Sequence, residues 1–288
     1  MEMQQDTQRT YPEGVTSWVD VEHRDLAAAG EFYGGLFGWT FLEAEAEAEA
    51  GGEGTRYLVA QLDGRDVAGL AESADATVPG SGGWNTYVAV DDADRAAARV
   101  SAAGGRVVLP PATAGDGGRV ALCEDPGGVP FRLRESRNRP GAQLTNAPGT
   151  WNFSDLHSAD PAGAGGFYTA VFGWELTDAG FGAMIRRPGY GDHLAATVDP
   201  GIHERQESAG APPGFADAIG WLTEAAEDER PGWHVTFAVA DRDDTVAAVE
   251  RLGGTVVATD DTDWTRTAVV RDPQGAAFTA SQFAPPAN

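Results

Sequence analysis

Residues 32–39 read FYGGLFGW and residues 167–174 read FYTAVFGW, and these two stretches decide the fold. The apolar residues of each copy fall at helical spacing. The glycine before the last tryptophan is suited to the left-handed conformation that ends a helix. Each copy therefore predicts a helix followed by a strand, with its aromatic rings packing the helix on a sheet. Because the copies lie about half the chain apart, the sequence contains an internal repeat.

The residues around each copy repeat as well. Alternating apolar and polar residues predict a strand before each helix, at residues 16–23 and 151–157. Asp25 is placed to cap the first helix, and Asp160, followed by Pro161, the second. Strands follow in both halves, with a hairpin turn predicted at Asp63 and Gly64.

A second unit of the same kind follows in each half. Its signals are an acidic cap before a helical stretch, a Gly-Gly pair at 104–105 and 253–254, and the sequences DPGG at 125–128 and DPQG at 272–275. This pattern predicts four βαβββ modules. We expect an α+β protein of two tandem domains, residues 14–136 and 150–285, each a curved eight-stranded sheet of two modules.

Three stretches fit the pattern less well. Residues 193–198 are interpreted as a strand, and residues 199–232, which contain Trp221, as an insertion. Residues 43–54 alternate glutamate with alanine and glycine and are interpreted as a solvated loop. His23 and His203 are expected in or near exposed turns, and we assign them no role.

Composition limits the partners. The 288 residues carry a net charge of −24, and no basic stripe is present to neutralise phosphates, so we expect neither a nucleic acid nor an anionic membrane as partner. With one cysteine, Cys123, no internal disulfide can form. The sequence shows no signal peptide or spanning segment, so we expect a cytoplasmic protein. We expect it to be a monomer or a homodimer.

The order FY-x-x-x-FGW, GG and DPxG resembles the vicinal oxygen chelate superfamily, which includes glyoxalase I, bleomycin-resistance proteins and extradiol dioxygenases. The chain is most similar to its tandem-domain, actinobacterial glyoxalase-like branch. The resemblance covers roughly residues 14–285 and implies paired modules around a concave cleft. In the family that cleft holds a divalent metal through His, Glu or Gln side chains, but a shared fold does not imply a shared reaction.

Carried onto this sequence, the family's metal positions fall on poor ligands, with the exception of His234. They are Trp18, Asn85 and Arg132 in the first domain, and Phe153, His234 and Thr279 in the second. A catalytic metal needs about three N or O donors from the protein. We therefore expect no metal and no other cofactor.

The first hypothesis is a protein that binds an aromatic or apolar metabolite, in secondary metabolism or resistance, without the usual metal ligands. Alternatively, the inward rings fill a closed cleft. The residues expected to face a ligand are Trp18, Asp20, Asn85, Tyr87, Arg132, Phe153, His157, Thr236, Trp264 and Thr279.

Two enzymatic alternatives remain open. In the first, Asp155 and His234 form a metal-free acid–base pair for isomerisation, cyclisation or elimination. The same pair could instead be a buried structural contact, as could Asp20 with Arg132 in the first domain. In the second, His234, with His193 or His157 and Asp155, holds a metal for a lyase or dioxygenase reaction.

Overall fold

The structure is a computed structural model that describes residues 9–44, 56–73, 83–114 and 118–285. In these ranges the chain forms two eight-stranded mixed sheets. No helix in the described ranges is long and apolar enough to cross a bilayer. Most of the acidic tract at 43–54 lies outside the described residues.

The first sheet belongs to the first half of the chain. Its strands are β1 Thr16–His23, β2 Thr40–Ala44, β3 Tyr57–Leu62, β4 Arg65–Glu72, β5 Trp84–Ala89, β6 Arg106–Thr113, β7 Arg119–Glu124 and β8 Pro130–Glu135. Their spatial order is β2-β3-β4-β1-β5-β8-β7-β6. Helix α1 (Leu26–Phe37) follows β1, and helix α2 (Ala93–Ala102) follows β5. Two βαβββ modules therefore meet where β1 pairs antiparallel with β5.

The second sheet repeats this order as β10-β11-β12-β9-β13-β16-β15-β14. Its strands are β9 Thr150–Ser158, β10 Glu175–Asp178, β11 Ala183–Arg186, β12 Ala218–Glu224, β13 Gly232–Ala238, β14 Thr255–Asp261, β15 Thr265–Arg271 and β16 Ala277–Phe283. Its helices are α3 Pro161–Phe172, α4 Tyr190–Thr197, α5 Ile202–Ser208 and α6 Arg242–Arg251. The predicted α+β fold of two tandem domains is confirmed, while the exact limits 14–136 and 150–285 stay a prediction.

The third module departs from the sequence interpretation. Residues 193–198 are not a strand, because most of them belong to α4, where Leu194 and its alanine neighbours suit a helix. The last strand of the module is β12, which lies inside the stretch taken for an insertion. The inserted part is thus the α4–α5 segment that precedes β12.

The helix ends follow their local signals. The Asp25 side chain accepts a hydrogen bond from the Ala28 backbone N–H at 3.0 Å. The Asp160 side chain accepts from the Gly163 N–H at 3.0 Å. Helices α1 and α3 both end at a glycine of positive φ, Gly38 and Gly173.

Each hydrophobic core combines modules from both domains. One core joins the first module to the fourth and the other joins the second to the third. The first includes Leu26, Phe32, Tyr33, Phe237, Val249 and Phe278, and the second includes Ala96, Phe131, Leu156, Phe167, Tyr168 and Trp174. Helices α1, α2, α3 and α6 therefore lie between the sheets, and we call the opposite face of each sheet its concave face.

The repeated motifs meet between the domains. The Tyr33 hydroxyl donates to Asp272 Oδ2 at 2.8 Å, so the FY motif of one domain reaches the DPxG turn of the other. The reciprocal contact, from the Tyr168 hydroxyl to Asp125 Oδ2, is 3.4 Å long. The Gly-Gly pairs complete the contact, since a Cβ at Gly105 would lie 2.8 Å from the Phe167 ring of the other domain.

The two reciprocal contacts differ in charge. His23 is buried and its Nε2 lies 2.7 Å from Asp272 Oδ2, which corrects its expected place in an exposed turn. Burial raises the pKa of the Asp272 carboxyl, but the contacts from His23 and Tyr33 outweigh burial, so this pKa is lowered. The pKa of Asp125 is raised by burial, which its hydrogen bonds only partly offset.

We predict that Asp272→Asn weakens the domain pairing more than Asp125→Asn does. The amide oxygen keeps the backbone hydrogen bonds from Gln274 and Ala276, whereas the NH₂ group cannot accept from Tyr33 or His23. We expect Asp272→Asn to lower the free energy of unfolding by about 3 kcal/mol and Asp125→Asn by about 1 kcal/mol. Urea unfolding of both variants measures this, and equal losses would contradict the assignment.

A pH dependence follows from the lowered pKa of Asp272. A lowered carboxyl pKa stabilises the fold above the ordinary aspartate value, near ~3.9, and this stabilisation is lost as the pH falls through the folded-state value. The difference in unfolding free energy between wild type and Asp272→Asn should therefore be full at neutral pH and shrink below about pH 4. A difference that grows on acidification would refute the assignment.

Candidate functional site

The two concave faces carry different residues at equivalent positions. Counted from the capping aspartates Asp25 and Asp160, the positions on β1 and β9 pair Trp18 with Phe153, Asp20 with Asp155, and Glu22 with His157. On β5 and β13, Asn85 corresponds to His234 and Tyr87 to Thr236. On β8 and β16, Arg132 corresponds to Thr279.

In the first domain a hydrogen-bonded network centres on Asp20. Its Oδ2 accepts from the Tyr87 hydroxyl at 2.5 Å and from the Tyr57 hydroxyl at 3.2 Å. Its Oδ1 accepts from Asn85 at 2.9 Å. The Trp18 indole N–H donates to the Tyr57 hydroxyl at 2.8 Å. Three donors thus surround one carboxylate that is 2% exposed.

Arg132 lies beside this network and pairs with Glu22. Its guanidinium carbon lies 5.7 Å from the centre of the Tyr87 ring. A Cβ at Gly69 would lie 1.9 Å from the Tyr57 hydroxyl, so a glycine is needed there. The five residues expected to bind a ligand here, Trp18, Asp20, Asn85, Tyr87 and Arg132, are all buried, and their ligand-binding role stays a prediction.

In the second domain the concave face carries accessible aromatic rings. Trp221 on β12 lies 5.0 Å from Phe181, ring centre to ring centre, and Phe181 is 71% exposed. Phe153 on β9 lies 6.3 Å from Phe215, which precedes β12. Partly exposed rings clustered on one face of a sheet are typical of a site for an apolar ligand.

A further aromatic pair stands at one end of this face. Trp264 stacks on Phe283 at 6.3 Å, and the two rings are 42% and 64% exposed. Phe283 shares the face of Thr279 on β16, and Thr279 lies opposite Thr236 of β13. The predicted site residues Trp264, Thr279 and Thr236 thus belong to one surface with Phe153.

Asp155 lies opposite His234 in the β9–β13 pairing. Its carboxylate accepts a hydrogen bond from the Trp221 backbone N–H at 3.0 Å. Desolvation raises the pKa of Asp155 to about 7, and this one backbone hydrogen bond only partly offsets it. Asp155 is therefore a desolvated carboxyl with one backbone hydrogen-bond donor.

The side chain of His234 contacts Glu229 and His157. Its Nε2 lies 3.1 Å from Glu229 Oε1, and its ring stacks on that of His157 with centres 3.9 Å apart. His157 Nδ1 lies 2.7 Å from the same Glu229 oxygen. Desolvation and the neighbouring His157 lower the pKa of His234 to about 4. In the described residues, His234 thus contacts His157 and Glu229, and the catalytic role of the Asp155–His234 pair stays a prediction.

The sequence does not predict Glu229 as a site residue. It follows β12 in the acidic sequence EAAEDER at 224–230, and nothing in that sequence separates it from its acidic neighbours. His193, the other histidine considered for a metal, lies on α4, where its Nε2 is 3.0 Å from the Thr10 hydroxyl. His203 pairs with Asp192 at an exposed site.

The family's metal positions do not fit a metal in either domain. In the first domain they carry an indole, an amide and a guanidinium that already pairs with Glu22. In the second they carry the phenyl ring of Phe153, the imidazole of His234 and the hydroxyl of Thr279. Of these three groups, the imidazole alone is a good metal ligand.

The two eight-stranded sheets of paired βαβββ modules define a tandem glyoxalase-like protein. Residues 17–133 match the family model of the glyoxalase/bleomycin resistance protein/dioxygenase superfamily, and residues 153–281 match a glyoxalase-like domain model. The chain belongs to this superfamily, whose fold is the vicinal oxygen chelate fold.

Relatives of similar length support this membership. The chain is 35% identical over 282 residues to a "Putative glyoxylase CFP32" of Mycobacterium tuberculosis, covering 96% of this chain and 97% of the relative. It is 33% identical over 283 residues to the "Anthracycline biosynthesis protein DnrV" of Streptomyces peucetius, covering 94% of each.

Solved structures share the fold at low identity. The Mn(II)-bound glyoxalase from Novosphingobium aromaticivorans aligns with a TM-score of 0.59 and 15% identity, over 94% of this chain and 82% of that one. The 2,3-dioxygenase LapB from Pseudomonas sp. KL28 gives 0.58 and 14%, over 95% and 93%.

Asp20 and Asp155 occupy equivalent positions in unlike surroundings, so we predict that their replacement by alanine costs different amounts of stability. Asp20→Ala removes an acceptor that three buried donors share and should cost at least about 3 kcal/mol of unfolding free energy. Asp155→Ala frees only the Trp221 N–H and removes a desolvated carboxyl, so its cost should stay below about 1 kcal/mol. Urea unfolding at pH 7 compares them, and equal costs would contradict the contrast.

Proposed function

We propose that the second domain binds a flat, largely apolar small molecule on its concave face, without a metal at the family's usual position. The observation that carries this is the set of rings on that face, of which Phe181, Trp264 and Phe283 are exposed and Phe153 and Trp221 half-buried. Aromatic walls suit a planar ligand because stacking requires no exact hydrogen-bond match.

Polar groups on the same face supply orientation. Asp155, Thr236 and Thr279 place a carboxyl and two hydroxyls among the rings, and each can exchange hydrogen bonds with ligand hydroxyl or carbonyl groups. A few polar groups in an apolar site fix the pose of a ligand. The net charge of −24 disfavours an anionic ligand.

The first domain is proposed as the structural partner of this site. Its equivalent face is filled by the Asp20 network and the Glu22–Arg132 pair. Relatives named for anthracycline biosynthesis support a fused-ring aromatic metabolite as the ligand class. We therefore place the protein in the handling of such a metabolite in secondary metabolism or resistance.

Binding of 1,8-dihydroxyanthraquinone tests the proposal. Equilibrium dialysis of untagged protein in EDTA, read from the visible absorption of the probe, should give a dissociation constant in the micromolar range. Phe153→Ala and Trp221→Ala should each weaken binding at least tenfold, because each removes a stacking surface worth more than about 1.4 kcal/mol.

Leu176→Ala is the matched control. Leu176 is an exposed apolar residue of the same sheet, but its side chain lies toward α3 at Gly165 and not on the concave face. It should leave the affinity unchanged. Absence of binding, or equal effects of all three variants, would refute the proposed site.

A further inference from the structure

Three side chains converge at the end of the second concave face where β9 ends and β13 begins. They are His157 from β9, His234 from β13, and Glu229 from the turn before β13. Their donor atoms, one from each residue, all lie within 4.8 Å of one another. Both imidazoles address one oxygen, Glu229 Oε1, at 2.7 and 3.1 Å.

We propose that His157, Glu229 and His234 bind one divalent transition-metal ion, with Zn²⁺ as the reference ion. An ion about 2.0–2.2 Å from each donor in tetrahedral geometry holds the donors roughly 3.3 Å apart. The two nitrogen–oxygen separations are 2.7 and 3.1 Å, close to this value. Because a metal lies in the plane of an imidazole that binds it, and the two rings are stacked, one ring must also rotate for both nitrogens to reach the ion. Two imidazoles and a carboxylate form a donor set typical of Zn²⁺ and related ions.

The carboxylate is held in place by its own turn. Glu229 Oε2 accepts from the Ala226 backbone N–H at 3.0 Å, which leaves Oε1 directed at the imidazoles. The turn is closed by the Glu229 N–H to the Ala226 carbonyl and tied to β9 by the Ala225 N–H to the Ser158 carbonyl. Hydrogen bonds that orient a ligand raise the metal affinity of a site.

The histidines are positioned by strand register. Gly232 lies directly opposite His157 in the β9–β13 pairing. Since glycine has no side chain, His234, two residues further on, can lie against His157, and the two rings are inclined by only 19°. Both imidazoles are thus presented on one side of the sheet.

The first domain supplies an independent indication of a cation at this place. There Glu22 and Asn85 occupy the positions of His157 and His234, and the guanidinium of Arg132 pairs with Glu22. In the second domain the residue equivalent to Arg132 is Thr279, which carries no charge. In the first domain the positive charge at this place is the guanidinium of Arg132. In the second domain a bound metal ion can supply it.

This site differs from the family's metal position. Only His234 belongs to both sets, while His157 and Glu229 lie outside the positions used to expect no metal. The three side chains are between a quarter and a third exposed, so water can complete the coordination. The inference goes beyond the proposed function, since the aromatic face does not require the ion.

Zn²⁺ titration of untagged, chelator-stripped full-length protein by calorimetry tests the inference. We expect one equivalent to bind with a micromolar or lower dissociation constant. His157→Ala, His234→Ala and Glu229→Gln should each weaken binding at least tenfold. Circular dichroism verifies that these partly exposed substitutions leave the fold intact.

His203→Ala is the matched control, because it removes an imidazole that lies 3.1 Å from a carboxylate oxygen of Asp192 elsewhere on the surface. It should leave the affinity unchanged. The inference is overturned if wild-type protein binds no stoichiometric Zn²⁺, or if His203→Ala weakens binding as much as the three site variants. Because the anthraquinone assay contains EDTA, its result does not depend on this one.

Discussion

The structure depends on a reciprocal contact in which the FY motif of each domain is buried against the other domain. Tyr33 donates to Asp272, and Tyr168 to Asp125, so each hydroxyl has an acceptor inside the interface. A buried hydroxyl needs such an acceptor, because a buried polar group without a partner costs free energy. Helices α1, α2, α3 and α6 pack against the sides of the sheets that face each other.

The two concave faces share one backbone arrangement but carry different side chains. In the first, Asp20, Tyr57 and Tyr87 satisfy one another, and Glu22 neutralises Arg132, so the polar groups need no outside partner. In the second, Phe153 and Trp221 are only half-buried, and Asp155 has one backbone donor. Polar groups that are hydrogen-bonded to one another have little need of a ligand. Partly exposed rings and polar groups with few partners favour ligand binding.

Most of the fold can be predicted from local sequence signals. The capping aspartates, the glycines that end α1 and α3, and the Asp63-Gly64 turn act through backbone geometry within a few residues, so the sequence shows them directly. The strand β12 was missed because a helical insertion separates it from β11, and its pairing with β9 is a long-range contact that no local pattern encodes. Glu229 was missed for the same reason, since only the folded chain brings it to His157 and His234.

The central claim is that the second concave face is open to a planar ligand while the first is filled by its own side chains. Crystals of the untagged protein soaked with 1,8-dihydroxyanthraquinone test it most directly. The account predicts density for the fused rings between Phe153 and Trp221, and an unchanged network around Asp20. Density for the probe between Trp18 and Tyr57, with none on the second face, would contradict it.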